Sequence, residues 1–150
     1  MTTIYLVQHG VAISKEIDEE RPLSDIGIKE TRQIAEILKK KNIIIQKIAH
    51  SGKLRALQTA SIFSDILNVS DVCQVKGMKP NDGPDVLIQQ MTDDAVMYIG
   101  HLPNVQNVVS SLVSGDKVVN VLQFQNSAVA CVELQESEAH IKWFLTPDLS

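Results

Sequence analysis

The apolar residues of this chain fall into short dense runs alternating with stretches of helical period. Thr3-Ile4-Tyr5-Leu6-Val7 is apolar and β-branched, and Gln8-His9-Gly10 closes it, a pattern that predicts a buried strand. A polar segment from Val11 to Pro22 follows, with Glu16, Asp18, Glu19 and Glu20 as a solvated acidic cluster. Ser24 is then a good helix N-cap with Asp25 in the first turn. The spacing predicts a helix to about Lys41, with Ile28, Ala35 and Leu38 on one face, widened by Ile34 and Ile37. Gly27 inside it costs about 1 kcal/mol of helix propensity against alanine.

The same two periods continue. Ile43 to Ala49 reads as a second strand ending at His50 and Ser51, and Gly52 breaks it. Leu54 to Leu67 reads as a helix with Leu54, Leu57, Ala60 and Ser64 along one side and Ala56, Ile62, Phe63 and Ile66 completing its buried surface. Val72 to Val75 is a short strand, Gly77 to Pro84 a loop, Asp85 to Met91 a short helix, and Ala95 to Ile99 a strand running into Gly100-His101. Pro103 suits a first helical position before a helix from Val105 to Val113. Val118 to Phe124 reads as irregular or a short strand. Ser127–Leu134 and His140–Leu145 alternate as strands, joined through Gln135-Glu136-Ser137-Glu138 as a hairpin at the sheet edge.

Strands alternating with helices predict a three-layer α/β/α sandwich with a mainly parallel central sheet. In such a sheet the strand carboxyl ends share one edge, where ligand crevices form. That edge collects His9, the loop from Ser51 to Arg55, and His101. A helix start carrying an arginine in its first turn favours anions there.

Composition narrows the picture without changing it. The 150 residues predict a single domain over 1–150, large enough for a core of its own. A net charge of −4 argues against a nucleic-acid partner but allows a local positive pocket. Cys73 and Cys131 match no metal or redox spacing and read as buried free thiols. No leader or membrane-length apolar run opens the chain, so no membrane association and a cytoplasmic location are expected. Singly, each candidate has a plain reading: Arg21 and Arg55 as surface ion-pair partners, His101 as a strand terminator, Ser51 as a loop shaper, His50 as solvent-exposed.

Four segments in order alter that weighting. Leu6-Val7-Gln8-His9-Gly10, Arg21-Pro22-Leu23-Ser24-Asp25-Ile26-Gly27, Ser51-Gly52-Lys53-Leu54-Arg55-Ala56-Leu57-Gln58-Thr59-Ala60 and Gly100-His101-Leu102-Pro103 together resemble the histidine phosphatase (phosphoglycerate mutase-like) superfamily. The short length, the Arg-Pro-Leu-Ser segment and Asn126-Ser127-Ala128 before a strand resemble its phosphohistidine phosphatases of the SixA type. The resemblance covers nearly the whole chain. It implies a phosphoglycerate mutase-like fold, His9 as a nucleophile that is transiently phosphorylated, and Arg21 and Arg55 as phosphate-binding groups. It implies His101 as the second pocket histidine, no cofactor and no metal. The implied substrate is phosphohistidine on a signalling or phosphotransfer protein, such as a histidine phosphotransfer domain or a carrier of the sugar phosphotransferase system.

The chain departs from the family pattern at Gln8, where the family has a phosphate-binding arginine. A glutamine donates a hydrogen bond but brings no charge and no fork. By analogy with removing one oxyanion donor, roughly 10²–10³ in turnover is at stake. The region where superfamily members carry a general acid reads Lys79-Pro80-Asn81-Asp82, and Asp82 is the candidate acid. A phosphoramidate leaving group needs less acid help, because its nitrogen can be protonated before the bond breaks. Two other functions compete: a phosphate-binding module with weakened catalysis, and a small-molecule phosphomonoesterase.

Overall fold

A computed structural model describes residues 1–117 and 119–149. Its elements are β1 (Thr2–Gln8), α1 (Asp25–Lys40), β2 (Lys47–His50), α2 (Leu54–Leu67), β3 (Val72–Gln74), α3 (Asp85–Gln89), β4 (Val96–Gly100), α4 (Asn104–Ser114), β5 (Val129–Leu134) and β6 (Ala139–Leu145). The strands form one six-stranded sheet in the order β3-β2-β4-β1-β5-β6. The first four run parallel, and β5 and β6 pair antiparallel as a hairpin with β6 at the edge.

Alternation along β1 builds the three layers. Ile4 and Leu6 pack with Val105, Val108 and Val109 of α4 and Leu87 of α3. Tyr5 and Val7 pack with Ile34, Ala35 and Leu38 of α1 and Ala56, Ala60 and Phe63 of α2. The mainly parallel α/β/α expectation holds, as does the hairpin.

Three local expectations are corrected. The second strand begins at Lys47, since Asn42 adopts a left-handed backbone (φ 57°) and Ile43 to Gln46 only approach the sheet. Ile44 stays 70% exposed on that approach. In α1 the buried face is Gly27, Thr31, Ile34, Ala35 and Leu38, and Ile28 is exposed. In α2 the buried face is Ala56, Thr59, Ala60 and Phe63, and Leu57 is exposed. The apolar pattern missed the phase because buried threonines on each helix hydrogen-bond inward. The segment from 119 to 124 is irregular, and Val118 lies outside the described residues.

Gly27 is required by packing. A Cβ there would sit inside the contact shell of the Val11 carbonyl oxygen, because Ser24 Oγ donates to that carbonyl and pins the loop against the helix start. Its cost in helix propensity therefore holds the segment carrying Arg21 against α1. Among the described residues no helix is long and apolar enough to cross a membrane.

Candidate active site

The ends of β1, β2 and β4 meet at one sheet edge. His9 follows β1 and extends its ladder by donating its N–H to the Gly100 carbonyl at 3.0 Å. His101 follows β4, and the two imidazoles lie with ring centroids 4.9 Å apart and planes tilted by 54°. Both are buried, His9 at 7% exposure and His101 at 1%.

His9 is tautomerically defined. Its Nδ1 lies 2.7 Å from the Gly10 carbonyl oxygen, so Nδ1 carries the proton and Nε2 presents its lone pair. Arg55 Nε donates to that Nε2 at 3.3 Å. Backbone clamps hold the ring's base: Asn126 Nδ2 donates to the His9 carbonyl at 2.9 Å, and the Ser127 N–H reaches the Gln8 carbonyl at 3.0 Å. Thr59 Oγ1 accepts from the Gly10 N–H and donates to the Arg55 carbonyl, tying the histidine loop to the first turns of α2. Gly10 itself leaves no room for a side chain, since a Cβ would lie 2.8 Å from Thr31 Oγ1.

Both arginines lie near enough for their charges to act on the two imidazoles. Arg55 sits in the first turn of α2, placed there by the short loop after β2. Arg21 takes a left-handed backbone, φ 52°, and its Nε donates to the Ile13 carbonyl at 3.2 Å. That conformation costs a non-glycine residue about 1–2 kcal/mol, here in a loop held by Gln58 Oε1, which accepts from the Leu23 N–H. Burial, and then the charges of Arg55 and Arg21, hold His9 down to about 4, against the opposing pull of the Gly10 carbonyl. Burial, a neighbouring His9, Arg55, Lys53 and Arg21 hold His101 down to about 3. Both rings are therefore neutral at physiological pH. Burial and then Arg21 lower Arg55 as well.

Gln8 ends β1 with its Oε1 buried and without a hydrogen-bond partner. Asp82 is engaged within its own turn. Its Oδ2 accepts from the Lys79 N–H at 3.0 Å within a turn closed by Asp82 N–H to Lys79 O, and it makes no hydrogen bond to either ring. It lines a depression of about 430 Å³ together with Ser51, Gln74, Val75, Lys76, Gly77 and Lys79. Among the described residues no group of three His, Cys, Asp or Glu side chains is gathered to hold a metal ion.

Two readings from the sequence change. His50 is buried, not solvent-exposed, and its Nδ1 accepts the Gly52 N–H, shaping the loop before α2. Ser51 does more than shape a loop: its Oγ lies 2.6 Å from His101 Nε2. Gln58 and Thr59 stand in the matched segment from Ser51 to Ala60 without a role of their own; the structure gives each one, Gln58 holding the Leu23 N–H and Thr59 linking Gly10 to the Arg55 carbonyl.

Comparison with known proteins finds the same arrangement of chain. No protein-family model matches. The chain is 31% identical to the phosphohistidine phosphatase SixA of Escherichia coli (strain K12) over 153 residues, covering 96% of this chain and 93% of that one. A solved structure of the protein histidine phosphatase SixA complexed with tungstate superposes with a TM-score of 0.88 at 28% identity, over 99% of this chain and 100% of that one. A phosphoserine phosphatase from Entamoeba histolytica in complex with 3-phosphoglyceric acid gives a TM-score of 0.74 at 16% identity, over 97% and 98%, a likeness of fold alone.

Proposed function

The chain belongs to the SixA family of histidine phosphatases, with a phosphoglycerate mutase-like fold, and on that premise we propose that it hydrolyses phosphohistidine on a protein substrate. The observation that carries this reading is the pairing of two neutral, buried imidazoles 4.9 Å apart with cations at one strand edge. A neutral His9 with Nδ1–H tied to Gly10 keeps its lone pair on Nε2, where Arg55 Nε–H holds it in the resting protein and an arriving phosphoryl group would take that bond's place.

In this scheme His9 Nε2 attacks the phosphoryl group as the substrate P–N bond breaks. The leaving group departs as a neutral imidazole because its other ring nitrogen is protonated before the P–N bond breaks. Water then attacks the phosphoryl group on His9, gives its proton to solvent, and releases phosphate with the neutral ring restored. Arg21 and Arg55 neutralise the equatorial oxygens, and His101 adds a hydrogen bond. Gln8 contributes an uncharged amide donor, so the reading includes a slower enzyme than one bearing arginine there. A carboxylate acid is dispensable for a phosphoramidate. Asp82, engaged by Lys79, stays the candidate acid for an alkyl phosphate, the substrate class this reading disfavours.

A protein substrate fits a 150-residue chain without long insertions over the pocket, and a histidine phosphotransfer domain or a sugar phosphotransferase carrier has the required group. A cytoplasmic setting belongs to the same reading and agrees with free Cys73 and Cys131. The test is phosphate release from a phosphohistidine protein and from a sugar phosphate, with His9→Ala as control. Release from the phosphohistidine protein by wild type alone is expected. Equal rates for wild type and His9→Ala leave a phosphate-binding module. Comparable turnover of the sugar phosphate makes it a general phosphomonoesterase.

A further inference from the structure

Ser51 has no part in the scheme above, yet its hydroxyl is committed on two sides. Its Oγ lies 2.6 Å from His101 Nε2 and also accepts from the Lys53 N–H at 3.3 Å. Both Ser51, at 2% exposure, and His101, at 1%, are out of water. A hydroxyl has one proton and two lone pairs. With the Lys53 N–H on a lone pair, the Ser51 proton needs an acceptor, and the unprotonated nitrogen of His101 is the one its contacts offer. A proton on Nε2 instead would leave the serine proton buried without a partner, which is unfavourable.

The far side of the ring completes the argument. His101 Nδ1 is buried with no hydrogen-bond partner. Beside His9, the charged groups acting on this ring are Arg55, Lys53 and Arg21, all cations, which favour an anion next to it. An anion needs a donor, and a lone pair on Nδ1 would repel it. We infer that Ser51 is a positioning residue: its Oγ–H donates to His101 Nε2 and fixes the Nδ1–H tautomer, leaving Nδ1–H as a neutral donor for an oxyanion. The ligand in this inference is the phosphoryl group of the proposed reaction, but the tautomer belongs to the resting protein. A donor fixed before the anion arrives needs no reorientation when charge develops. A ring in the wrong tautomer keeps its place and loses its function.

The experiment is long-range proton–nitrogen NMR on the full chain labelled with 15N-histidine at neutral pH, followed by titration with tungstate as an oxyanion probe. His101 Nδ1 is expected to be pyrrole-like and Nε2 pyridine-like, with the Nδ1 proton shifting as tungstate binds. Ser51→Ala should move the ring toward Nε2–H and lower kcat about 10–100-fold, by analogy with the partners that orient metal-binding histidines. Ser51→Thr keeps the hydroxyl and should restore both tautomer and rate. A wild-type spectrum with Nε2 protonated overturns the inference, as does a Ser51→Ala spectrum that keeps the wild-type tautomer. If Ser51→Ala does not fold, the wild-type spectrum and Ser51→Thr decide alone. A protein with the expected tautomer and tungstate response but no phosphate release upholds the role of Ser51 and overturns the proposed reaction.

Discussion

Mild acid should destabilise this protein through its pocket. Burial, helped by the arginines, holds His9 at about 4 in place of the ordinary 6.5. Burial, His9 and the surrounding cations hold His101 at about 3. In the unfolded chain both rings regain the ordinary value. Between about pH 6.5 and pH 4 the unfolded state therefore binds protons that the folded state refuses, and stability falls as pH falls. At about pH 4.5 the folded rings are still mostly neutral while the unfolded ones are two pH units into their titration. Each ring then lowers stability by about 2.7 kcal/mol, and the pair by about 5 kcal/mol, at about 1.4 kcal/mol per unit. The repulsion between two charged rings hardly enters, because neither is charged in most folded molecules at that pH. Buried His50, also lowered, acts in the same direction. Against a typical total of about 5–15 kcal/mol this is a large share. Urea midpoints followed by circular dichroism at fixed ionic strength, from about pH 7.5 to 4.5, measure it. The two pocket rings should contribute a slope approaching two protons per molecule below about pH 6, with His50 adding to it, and His9→Gln should remove close to one. A flat profile, or an undiminished slope in His9→Gln, would show that these rings are not held neutral by the fold.

Gln8→Arg should raise phosphate release from a phosphohistidine protein by up to roughly 10²–10³, the scale of one transition-state donor, and an unchanged rate would refute the account of that position. Gly27→Ala gains about 1 kcal/mol of helix propensity but drives a methyl into the Val11 carbonyl at a cost of up to about 3 kcal/mol, so a net loss of up to about 2 kcal/mol is expected in thermal melts; a stabilised variant would refute the packing argument.

The strands and their alternation with helices along the chain were legible because a mostly parallel sheet is buried on both faces and leaves dense apolar runs. Even the bounds of α2, Leu54–Leu67, match its apolar period. The helix faces were less legible. Thr31 and Thr59 point inward at 0% exposure, and on a hydropathy pattern they count as surface. Each is satisfied inside, Thr31 by the Gly27 carbonyl and Ser127, Thr59 by Gly10 and Arg55. Buried hydroxyls that position a functional loop look like solvent-facing residues until their partners are known. For the same reason the arginines and histidines of the pocket could be located by motif and by strand-end logic, while the bond from Ser51 to His101 could not: it joins two loops 50 residues apart. The burial of His50 was hidden too, since a ring that accepts a local N–H leaves no trace in periodicity.

The pocket is charged before anything enters it, and that has a consequence for Gln8. Among the described residues neither Arg21 nor Arg55 lies within ion-pair distance of a carboxylate; the pairs present are His140–Glu138 and Lys142–Glu133. The acidic cluster before Arg21 is exposed, and Asp18 Oδ1 is occupied by the Glu20 N–H. Burial keeps those rings neutral, which a nucleophile requires; the cations without counter-ions add to it, and they repel one another, which a resting fold tolerates only to a degree. An oxyanion removes that repulsion, so the cations that add to the acid sensitivity set by burial also favour phosphate. A third guanidinium at position 8 would strengthen the hold on phosphate and deepen the repulsion in its absence. A glutamine there relaxes the empty pocket at the expense of transition-state charge, so the faster Gln8→Arg enzyme should also be the less stable one until an oxyanion is bound.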